Sequence, residues 1–109
     1  MSKKEEFCIM KDNPPLWSNK RFAGSHRHEV MFGTANRKKS IEDGLVIFLR
    51  PEDHNASKYG IHFNKDFDLY AKKEAEKRWC EFYNKTPEQF RKRYGRNYLW
   101  VNTIVKKWY

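Results

Sequence analysis

The apolar positions of the chain follow two different periods. From Phe63 onward, Phe63, Phe67, Ala71, Ala75 and Trp79 step by four, with Tyr70 and Phe82 alongside. Lys, Glu and Arg fill the positions between, so the stretch predicts an amphipathic helix that lays one stripe against a core. Asn64 is placed to cap it and Asp66 suits its first turn, so the helix should run to about Tyr83. The stripe Phe67, Ala71, Ala75, Trp79 reads as core, with no ligand-binding role. Upstream, the segment HRHEVMF alternates and carries Val30 and Phe32, which predicts a strand. Leu45 to Leu49, LVIFL, is a short continuous apolar run and reads as a buried strand. Between the two lies GTANRKKSIEDG, expected as a long connection opened and closed by Gly33 and Gly44. Pro51 and the turn-forming residues of RPEDHNASKYG end the second strand.

A second helix is punctuated explicitly. Thr86 caps it, Pro87 takes its first position, Gln89 completes a capping box, and Gly95 ends it in a left-handed conformation. The following NYLWVNTIVKKWY reads equally as a strand or a packed tail. Residues 1–25 are expected to form an irregular arm, because the tandem Pro14 and Pro15 oppose helix and central strand alike; Trp17 and Phe22 would pin it to the body. The resulting order is strand, loop, strand, turn, long helix, then an appended helix and tail. This is an α+β domain with a ββα core over residues 26–83, an arm over 1–25 and a C-terminal helix and tail over 84–109. A chain of 109 residues supports one modest core, and at 17% aromatic content that core is built on rings.

Charge changes the picture next. The formal net charge is +9, which favours polyanionic partners, nucleic acid first. Arg37, Lys38 and Lys39 of the basic NRKKS run could contact phosphates, with Arg21, Arg27 and Lys20 extending the patch. Such contacts are salt-dependent, and they position a duplex without reading its sequence. The same run reads equally as a solvated loop. FRKRYGRNY is a second basic and aromatic stretch, either another backbone contact or a solvated helix face. Cys8 and Cys80 form neither a disulfide framework nor a CxxC zinc pair and are expected as free buried thiols. No apolar run approaches a membrane span, and MSKKEEFCIMKDNPP lacks a signal-peptide core. The expectation is an intracellular, reducing compartment and no membrane partner.

The 4 histidines carry the candidate chemistry. His26 and His28 share one face of the first strand by two-residue alternation. His54 follows the second strand and His62 precedes the long helix, so a ββα arrangement brings all of them toward one cleft. Neutral imidazole is a good metal ligand and titrates near neutrality. It suits Zn, Ni, Co or Mn, whereas Mg prefers oxygen ligands. Metal-assisted hydrolysis needs such ligands and a base to take a proton from water. A single histidine is more often a surface or capping residue; it is the clustering on elements that pack together that points to a site.

The pattern HRHEVMFGTANRKKS, GLVIFLRPEDHN and YGIHFN resembles the HNH, or ββα-metal, endonucleases, in particular the compact HNH-like proteins of bacteriophages. The resemblance spans about residues 26 to 83. It implies a one-metal phosphodiesterase that cuts or nicks DNA in the cytoplasm of a bacterial host, using one divalent ion (Mg, Mn, Ni or Zn). It further implies His28 as general base or ligand, with Glu29 where many relatives have a second histidine. His54 and His62 would be metal ligands. Asn36, or a residue near Asp43, would be the loop asparagine that orients the base. The sequence departs from the family at Arg50 and Asp53, which stand where zinc-binding cysteines are common, so the aromatic core must brace the fold instead. Two registers follow. His28 is the base and His26 assists the metal, which is the favoured one, or His28 is a ligand and Glu29 takes the proton with a raised pKa. No base-reading element is visible, so cutting would be nonspecific or structure-directed. The alternatives are a degenerate scaffold that holds DNA or blocks a host or phage protein without cutting, and an assembly protein with incidental histidines.

Overall fold

The apolar run 45–49 lies at the centre of the molecule. Leu45 and every residue of strand β2 (Val46–Leu49) are buried, as expected for a strand covered on both faces. β2 pairs antiparallel with β1 (His26–Glu29), in the register His26 to Leu49, Arg27 to Phe48, His28 to Ile47 and Glu29 to Val46. This structure is a computed structural model and describes residues 6–100. Among the described residues there are four helices beside the two-stranded sheet: α1 (Arg37–Asp43), α2 (Pro51–His54), α3 (Lys65–Tyr83) and α4 (Pro87–Tyr94). The protein is therefore a small α+β fold.

Helix α3 lays Phe67, Ala71, Ala75 and Trp79 on the core, and Asn64 caps it by accepting the Phe67 amide at 3.2 Å. Phe63, expected on that stripe, precedes the helix and is 65% exposed; Phe82, at its far end, is also exposed. α4 carries the full Thr86–Gln89 capping box, Pro87 in its first turn and Gly95 at φ 89°.

Three segments differ from the sequence-based expectation. The strand ends at Glu29, although Val30 and Met31 remain buried and the Val30 amide still donates to the Leu45 carbonyl at 3.0 Å. The expected long loop contains α1. Its short KKSIED sequence has no apolar stripe, so nothing periodic announces a helix. What fixes it is Ser40, fully buried, whose Oγ donates to the Leu45 carbonyl at 2.7 Å and accepts the Met31 amide at 3.1 Å. Gly44 then closes α1 at φ 77°, tight against Phe7 and Ile9. Pro51 does not only break β2; it opens the single turn of α2, the place in a helix where a missing N–H costs nothing.

The N-terminal arm is irregular but contributes to the core through Ile9, Met10, Leu16 and Trp17. Ser18 bridges to Phe48, which extends the sheet edge by one residue, whereas Phe22 is exposed and does not anchor the arm. The two thiols are free but only partly buried. At the other end, buried Glu76 accepts the Tyr98 amide at 2.6 Å and the Asn97 Nδ2 at 2.8 Å. The chain after α4 is thus a packed tail through Tyr98, and residues 101–109 lie outside the described residues. No helix among the described residues is long and apolar enough to cross a membrane.

Candidate metal centre

Backbone closure, rather than helix packing, brings His54 beside His62. The Ile61 amide donates to the Asp53 carbonyl at 2.7 Å and the His62 amide to the His54 carbonyl at 3.2 Å, so the loop 55–60 returns on itself. Buried Asp53 is held by the Arg50 guanidinium at 2.7 Å. Gly60 is needed at the closure: a Cβ there would stand 2.5 Å from the His54 carbonyl oxygen. On the facing strand β1, alternation sends His26 and His28 toward this loop. Both rings meet His54 with centroids 5.2 Å away.

The four imidazoles form a chain with a side branch. His54 shares a hydrogen bond with His26 through the two Nδ1 atoms, 3.1 Å, and another with His62 through the two Nε2 atoms, 3.0 Å. His28 lies across from both, its ring centroid 4.9 Å from that of His62. One ring nitrogen each from His28, His54 and His62 lie within 4.8 Å of one another, close enough to hold a metal ion. Two imidazole nitrogens on one tetrahedral ion, each at about 2.0–2.1 Å, are about 3.3 Å apart. The His54–His62 pair already stands near that separation, and the remaining spacings reach it by contracting by up to about 1.5 Å.

His28 supplies the independent sign of a ligand. It is only 2% exposed, yet its Nε2 has no hydrogen-bond partner. A buried polar atom without a partner is costly and rare, and a cation held with His54 and His62 would satisfy it. Burial holds the His28 imidazole well below its ordinary pKa, with the neighbouring His62, His54, Lys72 and Arg37 acting in the same direction. Burial also lowers that of His54, again helped by His62 and His26. Both rings are therefore neutral at neutral pH, the form that binds metals without first losing a proton.

A wall of three residues that the sequence did not single out completes the site. Phe32 packs against His28 and His62, with centroids 5.6 and 5.2 Å away. The Lys72 ammonium sits 4.2 Å above the Phe32 ring and pairs with Asp68 at 2.8 Å. The second Asp68 oxygen is buried without a hydrogen-bond partner, and burial pushes this carboxyl up against the opposing pull of Lys72. The four-residue spacing of Asp68 and Lys72 announces a helical ion pair, but only the folded chain shows that the pair borders imidazoles.

The other expected site residues are committed to other partners. Glu29 is engaged by Arg27 at 3.0 Å and Arg37 at 3.5 Å, so its carboxylate serves cations and forms no hydrogen bond with an imidazole. The Asn36 side chain donates to the Tyr94 carbonyl at 3.2 Å, joining α1 to the end of α4. Asp43 accepts from Trp79, Tyr94 and Arg93. Neither Asn36 nor Asp43 is hydrogen-bonded to a histidine. Of the expected phosphate contacts, Arg21 and Arg27 both pair with Glu6, and Lys39 donates to the Arg93 carbonyl. Arg37 and Lys38 are exposed, and Lys38 makes no ion pair among the described residues.

Comparison with protein-family models, with curated proteins and with solved structures gives no match to this chain.

Proposed function

We propose that the protein is a metal-dependent phosphodiesterase acting on DNA, with a centre of the HNH type formed by β1, the end of α2 and the loop that leads into α3. The observation that carries this reading is the ring nitrogens of His28, His54 and His62 gathered within 4.8 Å of one another, with the buried Nε2 of His28 left unpartnered. These three rings bind a divalent ion, and their imidazole donor set favours Zn, Mn or Ni over Mg. Held by these three residues, such an ion would supply Lewis acidity toward a phosphoryl oxygen. His26 orients His54: the hydrogen bond between their Nδ1 atoms fixes the ring and directs Nε2 into the centre. On this reading His28 is a ligand and Glu29 stays with its arginines. Lys72, mounted on Phe32 and paired with Asp68, borders the imidazoles. Net charge of +9 draws the polyanion to the surface.

A second reading, DNA binding without cleavage, is favoured by one feature. Both nitrogens of His54 already have partners within the protein, so part of the cluster is satisfied without an ion. Supercoiled plasmid incubated with Mn, Ni, Zn or Mg, with and without chelator, separates the two. Hydrolysis requires nicking that chelator abolishes and that His28→Ala eliminates with the fold intact by circular dichroism. His26→Ala should weaken metal uptake by about 10–100-fold without removing a ligand. Plasmid retardation with no nicking under any metal would establish the binder, and absence of both would refute the two readings together.

A further inference from the structure

A second concave feature lies away from the histidines. It is a groove of about 570 Å³ between α1, the end of α3 and α4, within the size range of ligand sites. Four cations line it, Lys39, Lys85, Lys92 and Arg93, against the single carboxylate of Asp43. Tyr83 forms part of the wall, its hydroxyl donating to the Asp43 carbonyl at 3.0 Å.

The cations differ in what they are free to do. Arg93 is held on Asp43 through Nη2 at 2.9 Å as well as Nε, and Lys39 donates to the Arg93 carbonyl at 2.8 Å. These two are fixed parts of the frame. Lys85 and Lys92 are exposed and make no ion pair among the described residues. Asp43 is itself answered by Trp79, Tyr94 and Arg93, so its charge is already committed at the floor. What faces the opening is uncompensated positive charge on a rigid frame, which suits an anion.

The position of the groove says which anion. Helix α1 begins at Arg37, paired with Glu29 in the same strand as His28, and ends at Asp43 in the groove floor. Its seven residues span about 10 Å at 1.5 Å per residue. One DNA strand presents a phosphate every ~3.4 Å along the duplex axis, so this length corresponds to about three phosphates. A backbone laid along α1 from the imidazole centre meets Arg37, then Lys38 and Lys39, then the groove.

We infer that the groove at Lys85 and Lys92 is a second phosphate-binding site, which anchors the nucleic-acid backbone a few nucleotides from the imidazole centre. This rests on the proposal that DNA is the substrate. The anchor reads no sequence; it fixes the path of the strand across α1.

The test is the salt dependence of binding to a short fluorescein-labelled DNA duplex, followed by anisotropy in chelator so that no cleavage occurs. Each lost phosphate contact lowers the log–log salt slope by about 0.9. Lys85→Gln/Lys92→Gln should lower it by about 1–2, with metal uptake at the histidines unchanged. The charge-matched control Lys11→Gln/Lys77→Gln, at exposed positions lining a different cavity, should leave the slope as in the unaltered protein. Equal losses in both double variants, or none in the first, would overturn the groove while leaving the DNA reading standing. A failure of the unaltered protein to bind the duplex at any salt would remove the DNA reading and the groove with it.

Discussion

Adding one methyl group at residue 60 tests the construction of the metal centre without touching a ligand. In Gly60→Ala the new Cβ would stand 2.5 Å from the His54 carbonyl oxygen, 2.7 Å from its carbon and 3.1 Å from the Asn55 nitrogen. All three neighbours are backbone, so no rotamer change relieves the contact. Ordinary carbon contacts begin near 3.5 Å, so the loop must open by about an ångström. Overpacking of this kind costs about 1–3 kcal/mol, and each kcal/mol shifts the melting temperature of a domain this size by about 4–8 °C. The functional effect should be the more specific one. Metal–ligand distances tolerate only about ±0.2 Å, and the displaced residue is the ring that bridges His26 and His62. Paired thermal melts with and without Mn or Zn read both effects. The unaltered protein should gain about 2.7 kcal/mol of stability at a metal concentration of 100 Kd, whereas Gly60→Ala should gain under half of that at the same concentration. A variant that melts and takes up metal like the unaltered protein would refute the idea that loop closure at Gly60 builds the centre.

Two further predictions concern charge. Because the folded state holds the His28 imidazole well below its ordinary pKa, the unfolded chain binds a proton that the folded chain does not as the pH falls through about 6.5. Stability of the metal-free protein should therefore be full above that value and decline on acidification until the folded value is passed. Urea melts at neutral and mildly acidic pH, repeated on His28→Gln, check this; an equally steep decline in the variant would assign the loss to other groups. Asp43→Ala should cost about 3–5 kcal/mol, because it strands the buried Trp79 and Tyr94 donors and a guanidinium. A denaturant midpoint within experimental error of the unaltered protein would show that the network contributes little.

The parts of the fold legible in the sequence are those where a local signal and the tertiary outcome agree. The Phe67 to Trp79 stripe, the Asn64 cap and the Thr86 capping box each specify their element with neighbouring residues, and each is observed. Helix α1 was hidden because its decisive residue, Ser40, acts across the chain on Met31 and Leu45. Phe63 misled because its four-residue spacing continues a stripe past the point where Asn64 has already set the helix start. At the site, the shared face of His26 and His28 followed from strand alternation, and the ββα order directed His54 and His62 toward the same cleft. Which nitrogen faces which ring depends on the loop closure through Asp53 and Ile61, and that has no local signature. Glu29 shows the same limit: its ion pairs with Arg27 and Arg37 are invisible until the strand is placed beside α1.

The sheet that carries two of the imidazoles is two strands of four residues among the described residues, and both cysteines are free rather than bridged. Cys8 turns its sulfur to the Val46 carbonyl, and Cys80 lies on the long helix among core residues. Cohesion and chemistry are thus assigned to separate sets of atoms, rings of carbon for one and rings with nitrogen for the other. If the imidazoles hold an ion, as proposed, its loss would leave the core contacts around the sheet in place. Occupancy of the centre would then follow the supply of free cation in the surroundings.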